Sequence, residues 1–178
     1  ARFIDGLRYT DEKTIKVVKE VLRDEISHHI ADILKKFGAE PILLNGLDGG
    51  IIQCKKMTRH MGKEVDLGFV GDIVSVNKNI ILKACEEGKV PVVAPIGVDE
   101  HGQLYNINAD LMAGELSAAI SAEKMVYLSD IPGILKDINN PESLMTTLKK
   151  SQIDELISGG VISGGMIPKI QSCIKSMD

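Results

Sequence analysis

Between Gly159 and Lys169 the chain runs GGVISGGMIPK, two glycine pairs and a lysine just ahead of a stretch with amphipathic helical spacing. Such a segment suits a phosphate. Glycine lets backbone N–H groups come close to an anion, a helix N-terminus offers unpaired donors and partial positive charge, and a lysine adds a mobile full charge. The competing reading is a glycine-rich turn whose lysine sits in solvent. The segment is no Walker A loop, because Met166 follows Gly165 where that loop has lysine, and the chain has no GxGxxG fingerprint of a dinucleotide fold.

Three further polar clusters fall at the ends of expected strands or turns. In DGLRYT, residues 5–10, Arg8 stands immediately before a long helical pattern. An arginine there can clamp a carboxylate through two parallel hydrogen bonds, or pair with local acids. In YNINAD, residues 105–110, Asn106 and Asn108 share a face if the segment is extended. Their amides could read an amide or carboxylate on a ligand, and Asn108 could equally cap the helix that follows. Asp110, in that helix's first turn, is favoured there electrostatically and is also suited to hold lysine ammonium groups. In LSDIPGIL, residues 128–135, an apolar run ends in Ser129 and Asp130 before a Pro/Gly turn. A nucleotide's ribose or base edge could be recognised there, or Asp130 could simply start the turn.

Other chemistries find little support. Cys54, Cys85 and Cys173 are far apart without CxxC spacing, so neither a disulfide framework nor a zinc site is expected. The histidines read as surface residues, and no GxSxG nucleophile elbow is present. A net charge of −4 with scattered basic residues argues against a nucleic-acid surface, as do 3 Tyr, 3 Phe and no Trp for stacking. The length of 178 residues fits one domain, or two small lobes sharing a sheet. No apolar run approaches the ~20 residues of a membrane helix and no signal-peptide pattern opens the chain, so it reads as cytoplasmic.

The elements that must position these residues follow from periodicity. Over 10–37, Ile15, Val18, Leu22, Ile26, Ile30, Ile33 and Phe37 recur every three or four positions, which predicts one long amphipathic helix with Thr10 as N-cap and Gly38 as stop. Strands are expected at 41–44, 51–57 and 69–76, with a surface loop or hairpin tip at 58–64. A helix over 80–87 leads into 90–98, read as one strand buried on both faces. A strand at 103–107, a helix rich in small residues at 109–122, a buried strand at 125–128 and helices at 152–157 and 166–177 complete the chain. Alternating strands and helices predict an α/β sandwich with a largely parallel sheet and ligands at the strands' carboxyl ends.

Together these segments resemble those of the N-acetylglutamate kinases of the amino acid kinase family. FIDGLRYTD, DLGFVGDI, PVVAPIG, YNINAD, AGELSAAISAEKMVYLSDIPGIL and GGVISGGMIPK follow in that family's order along nearly all of the chain. Members acting on aspartate, glutamate, carbamate or UMP share parts of the nucleotide half, but not the DGLR and YNINAD combination. The resemblance implies a three-layer αβα sandwich with a mainly parallel central sheet, the carbamate kinase-like fold. It implies a single domain, with an acceptor-binding lobe over 1–122 and a nucleotide-binding lobe over 123–178.

What it implies for activity is phosphorylation of the side-chain carboxylate of N-acetyl-L-glutamate by ATP with magnesium, giving N-acetyl-L-glutamyl 5-phosphate for arginine biosynthesis. Carried over by position, Arg8, Asn106 and Asn108 bind the acceptor, Asp110 organises the catalytic lysines, and Lys169 stabilises the transferring phosphoryl group. Ser129, Asp130, Ile131, Pro132, Gly133, Ile134 and Leu135, with Val161, Ile162, Ser163, Gly165 and Met166, line the ATP site. No residue is expected to ligate a metal directly, since magnesium arrives on phosphates and water. The resemblance further implies a homo-oligomer, dimer or hexamer, a PII-type regulator as partner, no nucleic acid or membrane, and a plastid location in a eukaryote. The family's opening strand with a second catalytic lysine, its HGGG-type loop and its last strand and helix have no counterpart in these residues. The resemblance therefore covers a central portion, and a non-catalytic binding module of the same family is the alternative expectation.

Overall fold

Asp11, rather than the expected Thr10, caps the first helix of this computed structural model, which describes residues 2–4, 7–60, 62–129, 133–137 and 139–177. The Asp11 carboxylate accepts from the Thr14 N–H at 2.7 Å, and that backbone hydrogen bond lowers the pKa of the carboxyl. The Thr10 hydroxyl is engaged elsewhere: it donates to the Arg8 carbonyl and accepts from the Asn106 amide, both at 3.1 Å. The strands β1 (Phe3–Ile4) and β2 (Leu7–Arg8) form an antiparallel hairpin ahead of it.

From α1 (Glu12–Val18) the helix continues through a π-helical segment, Lys19–Ile26, into α2 (Ser27–Lys36). The backbone N–H and the hydroxyl of Ser27 both reach the Leu22 carbonyl, five residues back. A π turn holds more residues than an α turn, so the face that points inward drifts along the sequence. Ile15 is buried as the periodicity implies, but past the π segment Ser27 and Ala31 take the inward face. Ile26, Ile30, Ile33 and Phe37, on the expected stripe, are exposed. The small inward residues let α2 pack on β3 (Pro41–Leu44) and β8 (Val90–Val93), which pair in parallel from Pro41 opposite Val90 to Leu44 opposite Val93.

The larger sheet has the order β10 (Leu104–Asn106), β9 (Ile96–Val98), β4 (Ile52–Lys56), β7 (Gly71–Val76). β4 and β9 run parallel, and the other two pairings are antiparallel. Of the surface loop or hairpin tip expected at 58–64, the structure has a hairpin, β5 (Arg59–His60) paired with β6 (Lys63–Glu64). The run 90–98 is two strands in two sheets, not one. It divides at Ala94 and Pro95, where proline removes a ladder donor. α3 (Lys78–Glu86) connects β7 to β8 and ends at Gly88, whose φ of 75° only glycine adopts readily.

α4 (Ala109–Ala119) and α6 (Met166–Met177) lie against each other, with α5 (Ile153–Ser158) between them in sequence. A Cβ on Gly114 would come within 2.8 Å of the Ser172 Cα, so this close approach requires glycine. One core gathers Leu44, Ile51, Ile52, Cys54, Ile81, Tyr105, Ile107 and Met112; another, under α5 and α6, gathers Ile134, Ile153 and Ile162. Residues 125–128 are not the buried strand expected: Val126 is 71% and Leu128 95% exposed. Among the described residues no strand pairs with this run, and an unpaired extended segment gains nothing from a ladder. No described helix is long and apolar enough to cross a membrane.

Burial pushes the Cys54 thiol up to about 12, helped by the nearby Asp99 and Asp72 carboxylates. Since the thiolate is the reactive form, a thiol reagent at about pH 8 should modify the exposed Cys85 and leave Cys54 intact until the protein unfolds. Equal labelling rates for the two in the folded protein, read by mass spectrometry of peptides, would contradict this packing.

Candidate functional site

The backbone around Thr10 draws three distant segments together. Phe69 N–H donates to the Thr10 carbonyl at 2.7 Å, and Asn106 N–H donates to the Phe69 carbonyl at 2.9 Å. Gly68, with φ of 70°, makes this possible, because a Cβ there would run into the Thr10 carbonyl oxygen. The result places the end of β2 beside the end of β10 and the start of α4. Arg8, Asn106 and Asn108 then line one pocket of about 170 Å³ with Phe3, Leu7 and Val70. All three residues that the sequence singled out for an acceptor are brought together.

Each has a defined neighbour. The Arg8 guanidinium carbon stands 4.8 Å from the centre of the Phe3 ring, its cross-strand partner. The Asn106 NH₂ donates to Thr10, as described, while the Asn108 side-chain oxygen accepts from the Leu111 N–H at 3.0 Å. Asn108 is thus the N-cap of α4 and a pocket residue at once. Thr10, Gly68 and Phe3 were missed as site-building residues. DLGFVGDI and FIDGLRYTD contain them, but nothing local in either says that they meet.

Two residues past Asn108, Asp110 accepts from Lys169 Nζ at 2.8 Å. The lysine that sequence left between phosphate and solvent therefore sits against a carboxylate on the neighbouring helix, with the two side chains 31% and 21% exposed. Tyr127 adjoins the pair. Its hydroxyl donates to the Asp110 carbonyl at 3.2 Å and touches Ser172 Oγ, and its ring centre lies 5.3 Å from Lys169 Nζ. Burial raises the pKa of the Tyr127 phenol, which therefore stays protonated and a donor.

The expected nucleotide-binding residues divide by what they present. Asp130, Ile131 and Pro132 lie outside the described residues. The Ile134 and Ile162 side chains are buried with Ile153, so only their backbone could meet a ligand. Leu135 bridges to Leu144, and Gly133 has φ of 141°. The N–H groups of Val161 and Ile162 both donate to the Leu156 carbonyl, which leaves them committed. Ser129, Ser163 and Gly165 are exposed, and Met166 is half-buried at the first position of α6. Gly160 and Gly164 have φ of 74° and 53°. Gly165 has neither a positive φ nor any atom that a Cβ would meet within 4 Å, so the fold itself makes no demand for glycine there. Among the described residues no three His, Cys, Asp or Glu side chains converge as a metal site.

Helices packed on mixed strands define an α/β domain whose polar side chains gather where strands end and helices begin. The chain belongs to the amino acid kinase family, which it matches over residues 1–178. It is 43% identical to the acetylglutamate kinase of Heliobacterium modesticaldum, across 99% of this chain and 62% of that protein. Identity is 44% to the acetylglutamate kinases of Moorella thermoacetica (100% of this chain, 62% of that protein) and Gloeobacter violaceus (99% and 58%). The chain thus spans about three fifths of the length of these relatives. Among solved structures, smu.665 from Streptococcus mutans UA159 superposes with a TM-score of 0.85 at 27% identity, over 98% of this chain and 68% of that one. An N-acetylglutamate synthase from Neisseria gonorrhoeae shares the fold, with a TM-score of 0.81 at 18% identity over 99% of this chain and 38% of that one.

Proposed function

We propose that the protein carrying this chain is a kinase that transfers the γ-phosphoryl group of ATP to the side-chain carboxylate of N-acetyl-L-glutamate. The observation that supports it best is the convergence of Arg8, Asn106 and Asn108 on one pocket, two residues along α4 from the carboxylate that holds Lys169. The Arg8 fork suits the acceptor's α-carboxylate. One Asn106 N–H is given to Thr10, which fixes the amide so that its oxygen can accept the acetamido N–H. Because the Asn108 oxygen caps α4, its NH₂ is the group left to donate to a carbonyl or carboxylate. The two asparagines then offer an acceptor and a donor, which an acylated amino acid requires together.

The acceptor carboxylate is already a nucleophile, so one of its oxygens attacks the γ-phosphorus, ADP departs, and no general base is needed. The difficulty is bringing an anion to anionic phosphates, which calls for cations and backbone donors placed in advance. Lys169 supplies the charge, and Asp110, 2.8 Å away, keeps it aimed. Magnesium, which would be carried by the phosphates and water, would neutralise further charge there. In this reading residues 1–122 bind the acceptor and 123–178 the nucleotide, with Ser129, Ser163 and the open backbone at Gly165 facing ATP. By its motif order the reading extends to a cytoplasmic homo-oligomer of arginine biosynthesis under a PII-type regulator.

The test is a hydroxamate assay for acyl phosphate on the full-length protein with ATP, magnesium and a series of acceptors. N-acetyl-L-glutamate should give product where glutamate, aspartate and carbamate do not. Binding of both substrates without product would favour a non-catalytic module, and preference for an unacylated acceptor would overturn the assignment of the asparagines. Gly165→Ala gives a second check. Since nothing in the fold needs glycine there, the melting temperature should hold or rise slightly, while the KM for ATP increases because a methyl group meets the phosphates. An unchanged KM would place the nucleotide elsewhere.

A further inference from the structure

Tyr127 lies outside both helices that carry the Lys169–Asp110 pair, yet it touches both. Its hydroxyl reaches the Asp110 carbonyl and Ser172 Oγ, and Ser172 in turn donates to the Lys169 carbonyl at 2.8 Å. Ser172 is 1% exposed and seated against Gly114, so the junction is dense and its polar contacts are sheltered from water. Above it the Tyr127 ring lies 5.3 Å from the Lys169 ammonium. An apolar side chain would fill the same space in the run MVYL, Met125 to Leu128, without a hydroxyl to satisfy.

We infer that Tyr127 is a positioning residue for Lys169, holding the ammonium by its ring while its hydroxyl ties α4 to α6. This rests on the reading of Lys169 as the group that stabilises the transferring phosphoryl. A lysine on a four-carbon stem must be held in one place to be useful, and a second carboxylate would hold it only by competing for its N–H donors. An aromatic face attracts the cation through its quadrupole and leaves those donors to phosphate oxygens. Tyr127 also stands two residues before Ser129, where the segment expected to meet the nucleotide begins, so the residue in contact with the lysine is joined through the backbone to that segment.

The experiment compares steady-state kinetics of full-length wild type, Tyr127→Phe, Tyr127→Leu and Lys169→Ala. Phenylalanine keeps the ring and loses the hydroxyl contacts; leucine loses both. Relative to wild type, kcat should fall ~3- to 10-fold in Tyr127→Phe and ~10- to 30-fold in Tyr127→Leu, with both KM values within about twofold. The order wild type, Phe, Leu in kcat per folded enzyme at constant KM marks positioning, because a merely structural loss would lower the amount of folded enzyme and its melting temperature and leave the turnover of the folded fraction unchanged. Any other order, an unchanged kcat in both, or a KM for ATP that rises in step with the loss overturns the inference. If Tyr127→Leu does not fold, Tyr127→Phe decides alone, since its shape is retained. Full turnover in Lys169→Ala would overturn the inference together with the role of Lys169, and so tells the two failures apart.

Discussion

Replacing Lys169 with alanine should lower kcat by ~10²- to 10³-fold, as loss of one preorganised charge-stabilising donor does at other sites, while the KM for the acceptor stays close to its starting value. The basis is its place at the start of α6, 2.8 Å from Asp110, where the charge is held whether or not a ligand is present. The fold should survive. The side chain is 31% exposed, and the carboxylate left behind is itself open enough to be hydrated. A melting temperature near wild type with turnover within tenfold of it would remove Lys169 from the mechanism. Asp110→Asn should act in the same direction through the lysine, by removing the charge that keeps it aimed.

Arg8→Lys should raise the KM for N-acetyl-L-glutamate by ~10- to 100-fold, the scale of a charge-assisted hydrogen bond, and leave that for ATP nearly unchanged. Lysine keeps the charge but loses the planar fork and its stacking on Phe3, which stands 4.8 Å from the guanidinium carbon. The prediction separates the two halves of the site. Arg8 lines the pocket with Asn106 and Asn108, and the segment from Gly159 to Lys169 contributes nothing to that lining. Equal weakening of both substrates would place Arg8 elsewhere, and no change in either would leave it a surface residue.

How much of this was legible in the sequence depended on whether the information was local. The stop of α2 at Gly38, the capping oxygen of Asn108, the hairpin over 58–64 and the start of α6 at Met166 each arise from a few neighbouring residues, and sequence reading found them. Asp11 in place of Thr10 was a choice between adjacent oxygens. It was decided by Asn106, far along the chain, which occupies the threonine hydroxyl. The split of 90–98 at Pro95 had a local signal, the missing N–H, that the apolar run obscured.

The sequence by itself determined the α/β class, the residue types able to meet a carboxylate and a phosphate, and the family order of its motifs. Those depend on composition, periodicity and the chemistry of single side chains, which any short window displays. Only the tertiary structure decided that α1 and α2 would be joined by a π segment that turns Ser27 and Ala31 inward and leaves Ile30 and Phe37 outside. Only it brought Arg8 to Asn106 and Asn108, put Lys169 on Asp110, and laid Tyr127 across the junction. A helix's inward face is fixed by what packs on it, and a site assembled from separate segments exists only once backbone hydrogen bonds such as those between Thr10, Phe69 and Asn106 have closed the intervening loops.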